Sequence, residues 1–209
     1  IVVRLVGSEM CIRDSHTAAG RLDWHRNAKP LDEEGYSTEL IATEAINIIK
    51  NKDQNRPLFL YVAFNAPHTP IEAPIELINE FTDIENKKDR VYAANVSALD
   101  TEIGRIIKAI EQEGILEETI ILFFSDNGPV FDIDPIAQVI GPNLINAKGS
   151  TAGLRGSKTS TFEGGIRVPA VIWWKGVIEK AKSDQFFFVQ DILPTLLRAS
   201  NVNVAGTIK

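Results

Sequence analysis

The sequence predicts an α/β layered fold with a largely parallel central sheet, and three observations carry that prediction. Apolar runs of strand length recur at residues 58–64, 119–124 and 168–174. Amphipathic stretches of helical period lie before and between them, near residues 38–51 and 92–110. The first two runs each end in a Pro-, Asn- or Gly-rich loop. Alternation of buried-type strands with amphipathic helices is the pattern of a parallel sheet covered by helices. In such sheets ligands gather beyond the carboxyl ends of the strands.

The elements follow in chain order. Ser37 or Thr38 is placed to cap a helix over residues 38–51, with Glu39 at its positive end and Ile41, Ala45, Ile48 and Ile49 at helical spacing. After a polar link, Leu58-Phe59-Leu60-Tyr61-Val62-Ala63-Phe64 reads as a strand covered on both faces. It stops at Asn65-Ala66-Pro67-His68-Thr69-Pro70, where the prolines forbid regular helix or central strand, so His68 sits on a stiff loop. A long helix carries Tyr92, Val96, Leu99, Ile103, Ile106, Ile107 and Ile110 on one stripe and is terminated at Gly114.

The second strand, Thr119-Ile120-Ile121-Leu122-Phe123-Phe124, is stopped by Ser125-Asp126-Asn127-Gly128-Pro129. A stretch from 130 to 157 has little periodicity, is longer than most connections and is a candidate functional loop. The third strand is Val168-Pro169-Ala170-Val171-Ile172-Trp173-Trp174. Asp191 is placed to cap a last helix holding Ile192, Leu193, Leu196 and Leu197, with Pro194 in its first turn. Three strands are few for a sheet buried on both sides, so the fold is expected to be incomplete at both ends.

Composition bounds the function. With 209 residues, 44% hydrophobic and 24% charged, the chain is an ordinary globular one, and a net charge of −6 without a basic block argues against nucleic-acid binding. No apolar run approaches the roughly 20 residues that span a bilayer. Cys11 is the single cysteine, which excludes an internal disulfide framework. Residues 1–15 lack helical or strand period and any signal-peptide pattern, and resemble a translated adapter sequence. They are expected to be foreign, the natural chain beginning near His16.

Taken singly, the polar candidates are bland: Asp-Asn-Gly is a turn, a histidine between prolines a packed loop residue, Lys158 a solvated loop lysine. Asn95-Val96-Ser97 fits a glycosylation pattern but falls inside the best helix. Together, however, the segments resemble the type I sulfatases in order as well as content. Pro67-His68-Thr69-Pro70, Ala98-Leu99-Asp100, Phe124-Ser125-Asp126-Asn127-Gly128, Leu154-Arg155-Gly156-Ser157-Lys158, Phe162-Glu163-Gly164-Gly165 and Asp191-Ile192-Leu193-Pro194-Thr195 follow the family's landmarks. Glu34-Gly35-Tyr36-Ser37-Thr38 and Arg56-Pro57-Leu58-Phe59-Leu60-Tyr61 look closest to the arylsulfatase B branch, whose members act on sulfated sugars.

The resemblance implies an alkaline-phosphatase-like fold, residues 16–209 being the C-terminal part of the catalytic domain. It implies hydrolysis of a sulfate monoester, with Asp126 and Asn127 as ligands of one calcium ion, a hard cation suited to carboxylate and amide oxygens. Lys158 would hold a sulfate oxygen, and His68 would contact the sulfate and protonate the leaving alcohol. Arg155 and Glu163 would support them, and the long loop after Val130 would form part of the rim. The family's nucleophile is a formylglycine made from Cys-x-Pro-x-Arg. Cys11-Ile12-Arg13-Asp14-Ser15 lacks the Pro and the final Arg, so Cys11 is rejected as nucleophile. The N-terminal aspartate pair of the calcium site is also absent, and the chain alone is expected to be inactive. Two other readings stay open: a phosphodiesterase or phosphonate-ester hydrolase of the same superfamily, and a non-catalytic binding domain. Localisation implied by the family is extracytoplasmic.

Overall fold

Two helices meeting through small side chains form the centre of the larger unit. The computed structural model describes residues 5–6, 17–18, 21–22, 24–27, 29–68, 71–130 and 149–202. Cys11, His16, Thr69, Pro70 and most of the expected rim loop, residues 131–148, therefore lie outside the described residues, as do residues 1–15 apart from Leu5 and Val6. The chain divides into two units, Ile1–Gly176 and Val177–Lys209.

The first unit begins with four short strands and a fifth: β1 (Leu5–Val6), β2 (Thr17–Ala18), β3 (Arg21–Leu22), β4 (His25–Arg26) and β5 (Lys29–Pro30). β4 is paired antiparallel to both β1 and β5, and β2 to β3. Trp24, 2% exposed, anchors this region, its indole N–H donating to Glu33 Oε2 at 3.1 Å. Helix α1 (Ser37–Lys50) follows. Tyr36, not Ser37 or Thr38, is its N-cap, because Tyr36 is the residue with extended backbone. The helix thus starts one residue earlier than the hydroxyl pattern suggests. Ser37 and Thr38 are buried in its first turn, with no partner for either hydroxyl among the described residues.

After the short α2 (Ile75–Ile78) and a 3₁₀ turn (Asn79–Phe81) comes α3 (Lys87–Gln112). The Asn86 side chain caps it, accepting from the Lys88 N–H at 2.9 Å. Gly114, with φ +71°, lies just beyond its end, as the sequence predicts. α1 and α3 pack against each other. The buried positions are Ile41, Ala42, Ala45 and Ile49 on α1, and Ala94, Ala98, Glu102, Ala109 and Ile110 on α3. Alanines let the backbones approach, so the buried face is displaced from the stripe of large residues, and Val96 is exposed. Asn95 is fully buried: its amide donates to Tyr36 Oη at 3.0 Å and to the Glu72 carbonyl at 2.6 Å. This joins α3, the start of α1 and the chain before α2.

Residues 58–64 correct the sequence reading. Their burial alternates, with Leu58, Leu60, Val62 and Phe64 half-buried, but they form no strand ladder, and Phe59 and Tyr61 are 58% and 65% exposed. One face is covered rather than two. The other two expected strands do pair, β6 (Ile120–Phe124) with β7 (Ala170–Trp174), β6 being entered through a 3₁₀ turn at Leu116–Glu118. The pairing is antiparallel, Leu122 opposite Ile172, whereas parallel neighbours were expected. β7 starts after Pro169, which has no N–H to give a ladder. The Trp174 indole donates to the Glu117 carbonyl at 2.9 Å and Lys175 pairs with Glu117 at 3.2 Å, closing the far end of the hairpin-like pair.

The second unit holds the last helix, which follows α4 (Glu163–Ile166) in chain order and is labelled α5 (Val189–Ala199). Its N-cap is Phe188, three residues before Asp191. Asp191 instead reaches back, its carboxylate accepting from the Phe188 N–H at 2.8 Å. Pro194 consequently lies in the second turn, not the first, and leaves the Gln190 carbonyl without its helical donor.

Candidate active site

The chain leaves β6 at Phe124 and turns sharply. Ser125 Oγ donates to the Asn127 carbonyl at 2.9 Å, and the Asn127 side-chain amide donates to the Gly128 carbonyl at 2.9 Å. The second bond fixes which end of the Asn127 amide is which: its NH₂ is spent on the backbone, leaving Oδ1 as the acceptor on the other side. Asp126 is exposed and Gly128 buried. A carboxylate and an amide oxygen thus stand on adjacent residues of one pinned turn.

The second part of the site is the loop from Arg155 to Gly165. Three backbone hydrogen bonds dock it on the Asp126 turn and close it on itself. The Lys158 N–H donates to the Pro129 carbonyl at 2.8 Å, and the Gly128 N–H to the Gly165 carbonyl at 2.8 Å. Within the loop, the Gly164 N–H donates to the Arg155 carbonyl, also at 2.8 Å. Two glycines make this approach possible. A Cβ on Gly128 would overlap the Gly164 carbonyl, and one on Gly164 would overlap the Gly156 carbonyl. The Arg155 guanidinium lies 3.8 Å from the centre of the Phe162 ring, and Glu163 pairs with Arg167 at 3.2 Å in solvent. Lys158 itself is half-buried.

His68 belongs to another loop of the same unit. Its N–H donates to the Asn65 carbonyl at 2.9 Å across a turn containing a cis Ala66–Pro67 bond, with Asn65 and Ala66 buried beneath it. The structure therefore joins the Asp126-Asn127 turn to the Lys158 loop through backbone bonds at Gly128 and Pro129, and holds His68 on a separate turn.

Two oxygen donors, Asp126 and Asn127, suit a hard cation in kind but supply only part of the roughly six to eight oxygens that calcium takes. Among the described residues there is no group of three or more His, Cys, Asp or Glu side chains that could hold a metal. Sequence reasoning missed Ser160, whose hydroxyl bonds both the N–H and the carbonyl of Ser157. The Ser157-x-x-Ser160 spacing was the available signal, masked by the more familiar glycines around it.

Residues 10–202 match the Sulfatase family model. The chain belongs to the sulfatase family. It is 31% identical to an uncharacterized sulfatase, YdeN, of Escherichia coli, over 88% of this chain and 31% of that protein. It is 33% identical to arylsulfatase J of Mus musculus, over 78% of this chain and 25% of the relative. The N-acetylgalactosamine-6-sulfatase of the same species is 32% identical over 77% and 28%. Among solved structures, Ps i-CgsB, crystallised with a neocarrahexaose, superposes with a TM-score of 0.73 at 31% identity, covering 87% of this chain and 38% of that one. The fold is thus the alkaline-phosphatase-like α/β fold of the sulfatases. The chain spans about a third or less of the length of these curated relatives.

Proposed function

We propose that this chain supplies half of the active site of a sulfuric ester hydrolase that acts on sulfated sugars, residues 16–209 being the C-terminal part of its catalytic domain. The observation that carries the proposal is the docking of the Lys158 loop on the Asp126-Asn127 turn, which unites a cation and two hard oxygen donors at the end of one strand. A relative that bears the name N-acetylgalactosamine-6-sulfatase supports the substrate class.

In this reading the Lys158 ammonium binds a non-bridging sulfate oxygen and offsets the charge that grows as the S–O bond breaks. His68 donates its proton to the departing alcohol oxygen, so that the sugar leaves neutral. Asp126 and Asn127 would hold a calcium ion, which would supply Lewis-acid polarisation of the sulfate. A formylglycine from the rest of the parent protein would be the nucleophile. This sequence does not carry the Cys motif from which it is made, and residues 1–15 are proposed to lie outside the natural domain. We place the parent protein outside the cytoplasm, on the family alone. Among the described residues no helix is long and apolar enough to cross a membrane.

The test is hydrolysis of 4-methylumbelliferyl sulfate and of 6-O-sulfated N-acetylgalactosamine by the full-length parent protein. Chelation by EGTA should abolish turnover and calcium restore it, and Asp126→Asn should raise the calcium concentration needed. Unchanged turnover in EGTA, or a calcium dependence untouched by Asp126→Asn, would remove the metal assignment.

A further inference from the structure

The turn that carries Lys158 is held by a side chain outside the roles described so far. Ser157 to Ser160 close a four-residue turn, the Ser160 N–H donating to the Ser157 carbonyl at 3.1 Å. The Ser160 hydroxyl repeats that closure: it donates to the same carbonyl at 2.9 Å and accepts from the Ser157 N–H at 3.2 Å. Lys158 is the second residue of this turn. Thr159, the third, has φ +75°, a left-handed conformation that β-branched residues avoid.

The surroundings pack closely against the turn. A Cβ on Gly156 would meet Ser160 Oγ, and one on Gly165 would meet the carbonyls of Ser157 and Ser160. The Lys158 N–H is itself bound to the Pro129 carbonyl at 2.8 Å. A strained residue such as Thr159 persists only where its neighbours over-determine the backbone, and such residues cluster at functional sites. The hydroxyl of Ser160 is the one side-chain group in this turn that bonds both polar atoms of its first residue.

We infer that Ser160 is a positioning residue: by locking the turn it fixes the direction in which the Lys158 side chain leaves the backbone, and hence where its ammonium meets the sulfate ester. This rests on the role of Lys158 proposed above. Without the hydroxyl, the two side-chain bonds from Ser160 to Ser157 are lost, and of the contacts that close the turn between these two residues the Ser160 N–H to Ser157 carbonyl bond remains. The lysine keeps its charge but not its aim.

The experiment is a double-mutant cycle in the full-length sulfatase containing this chain, with kcat and KM measured on 4-methylumbelliferyl sulfate for wild type, Ser160→Ala, Lys158→Ala and the double variant. Ser160→Ala should lower kcat by about tenfold, within the range that misplacement of a reacting group costs. The double variant should be no slower than Lys158→Ala alone, because Ser160 acts through Lys158. Wild-type kinetics for Ser160→Ala, or a double variant slower by the product of the two single losses, would overturn the inference. Wild-type turnover by Lys158→Ala would overturn instead the assignment beneath it. Circular dichroism checks that Ser160→Ala folds; if it does not, Ser160→Cys, of similar size and weak as a hydrogen-bonding group, takes its place in the same cycle.

Discussion

Replacing Gly128 by alanine tests the docking of the two halves of the site in one step. The added methyl would lie inside the Gly164 carbonyl, which is backbone and cannot rotate away, so the Asp126 turn and the Arg155–Gly165 loop must separate. Separation strains the Gly128-to-Gly165 and Lys158-to-Pro129 hydrogen bonds, both 2.8 Å. Each is worth about 1 kcal/mol net, and forcing a methyl into a packed site adds about 1–3 kcal/mol. Restriction of the unfolded chain by alanine returns about 0.4–1 kcal/mol. The balance is a loss of about 2–5 kcal/mol, read as a fall in the urea midpoint followed by the fluorescence of Trp24, Trp173 and Trp174. Gly104→Ala is the matched control. Gly104 lies within α3 with open space where its Cβ would go, and the same substitution there should stabilise by about 0.5–1 kcal/mol. The reasoning is refuted if Gly128→Ala unfolds within about 0.5 kcal/mol of wild type.

Three further outcomes are expected. Asn86→Ala should cost about 1 kcal/mol, since it removes the acceptor for the Lys88 N–H at the start of α3; the same urea titration reads it. Thr159→Gly should stabilise by about 0.5–1 kcal/mol, because glycine adopts φ +75° without the penalty a β-branched residue bears; an unchanged or lower midpoint would show that the turn is not strained. Burial raises the Glu102 carboxyl above its ordinary 4.5, with Arg105 opposing the shift. Its contribution to stability is therefore full below that value and is lost as pH rises through the raised folded one. The stability of Glu102→Gln relative to wild type should increase from pH 4 to pH 7, and a constant difference across that range would contradict the burial argument.

The helices were legible because their signals are local. The 3.6-residue period of α1 and α3 and the terminating Gly114 need no knowledge of distant residues. Their caps were less so: Ser37, Thr38 and Asp191 all have capping side chains, yet Tyr36 and Phe188 hold the cap positions because backbone conformation, not side-chain type, decides where the helix begins. Residues 58–64 failed for a different reason. An apolar run declares that a segment will be extended, but a ladder needs a neighbour, and none pairs with it among the described residues. The direction of β7 against β6 depends likewise on the long connection, which carries no periodicity.

The site was legible as a set of residues and not as an assembly. Asp126, Asn127 and Lys158 announce themselves by type and order, and Gly128 and Gly164 looked like ordinary turn glycines until their carbonyl contacts gave them a packing role. Ser160 was hidden because a serine in a loop is unremarked unless its partners are known.

The most direct measurement is kcat/KM of the full-length protein for a sulfate monoester, with the matching phosphate monoester in parallel, for wild type and Lys158→Ala. The account predicts preference for the sulfate ester and a loss of about 10²–10³-fold on that substrate when the ammonium is removed. Equal turnover of the sulfate ester by the two proteins, or preference for the phosphate ester, would contradict it.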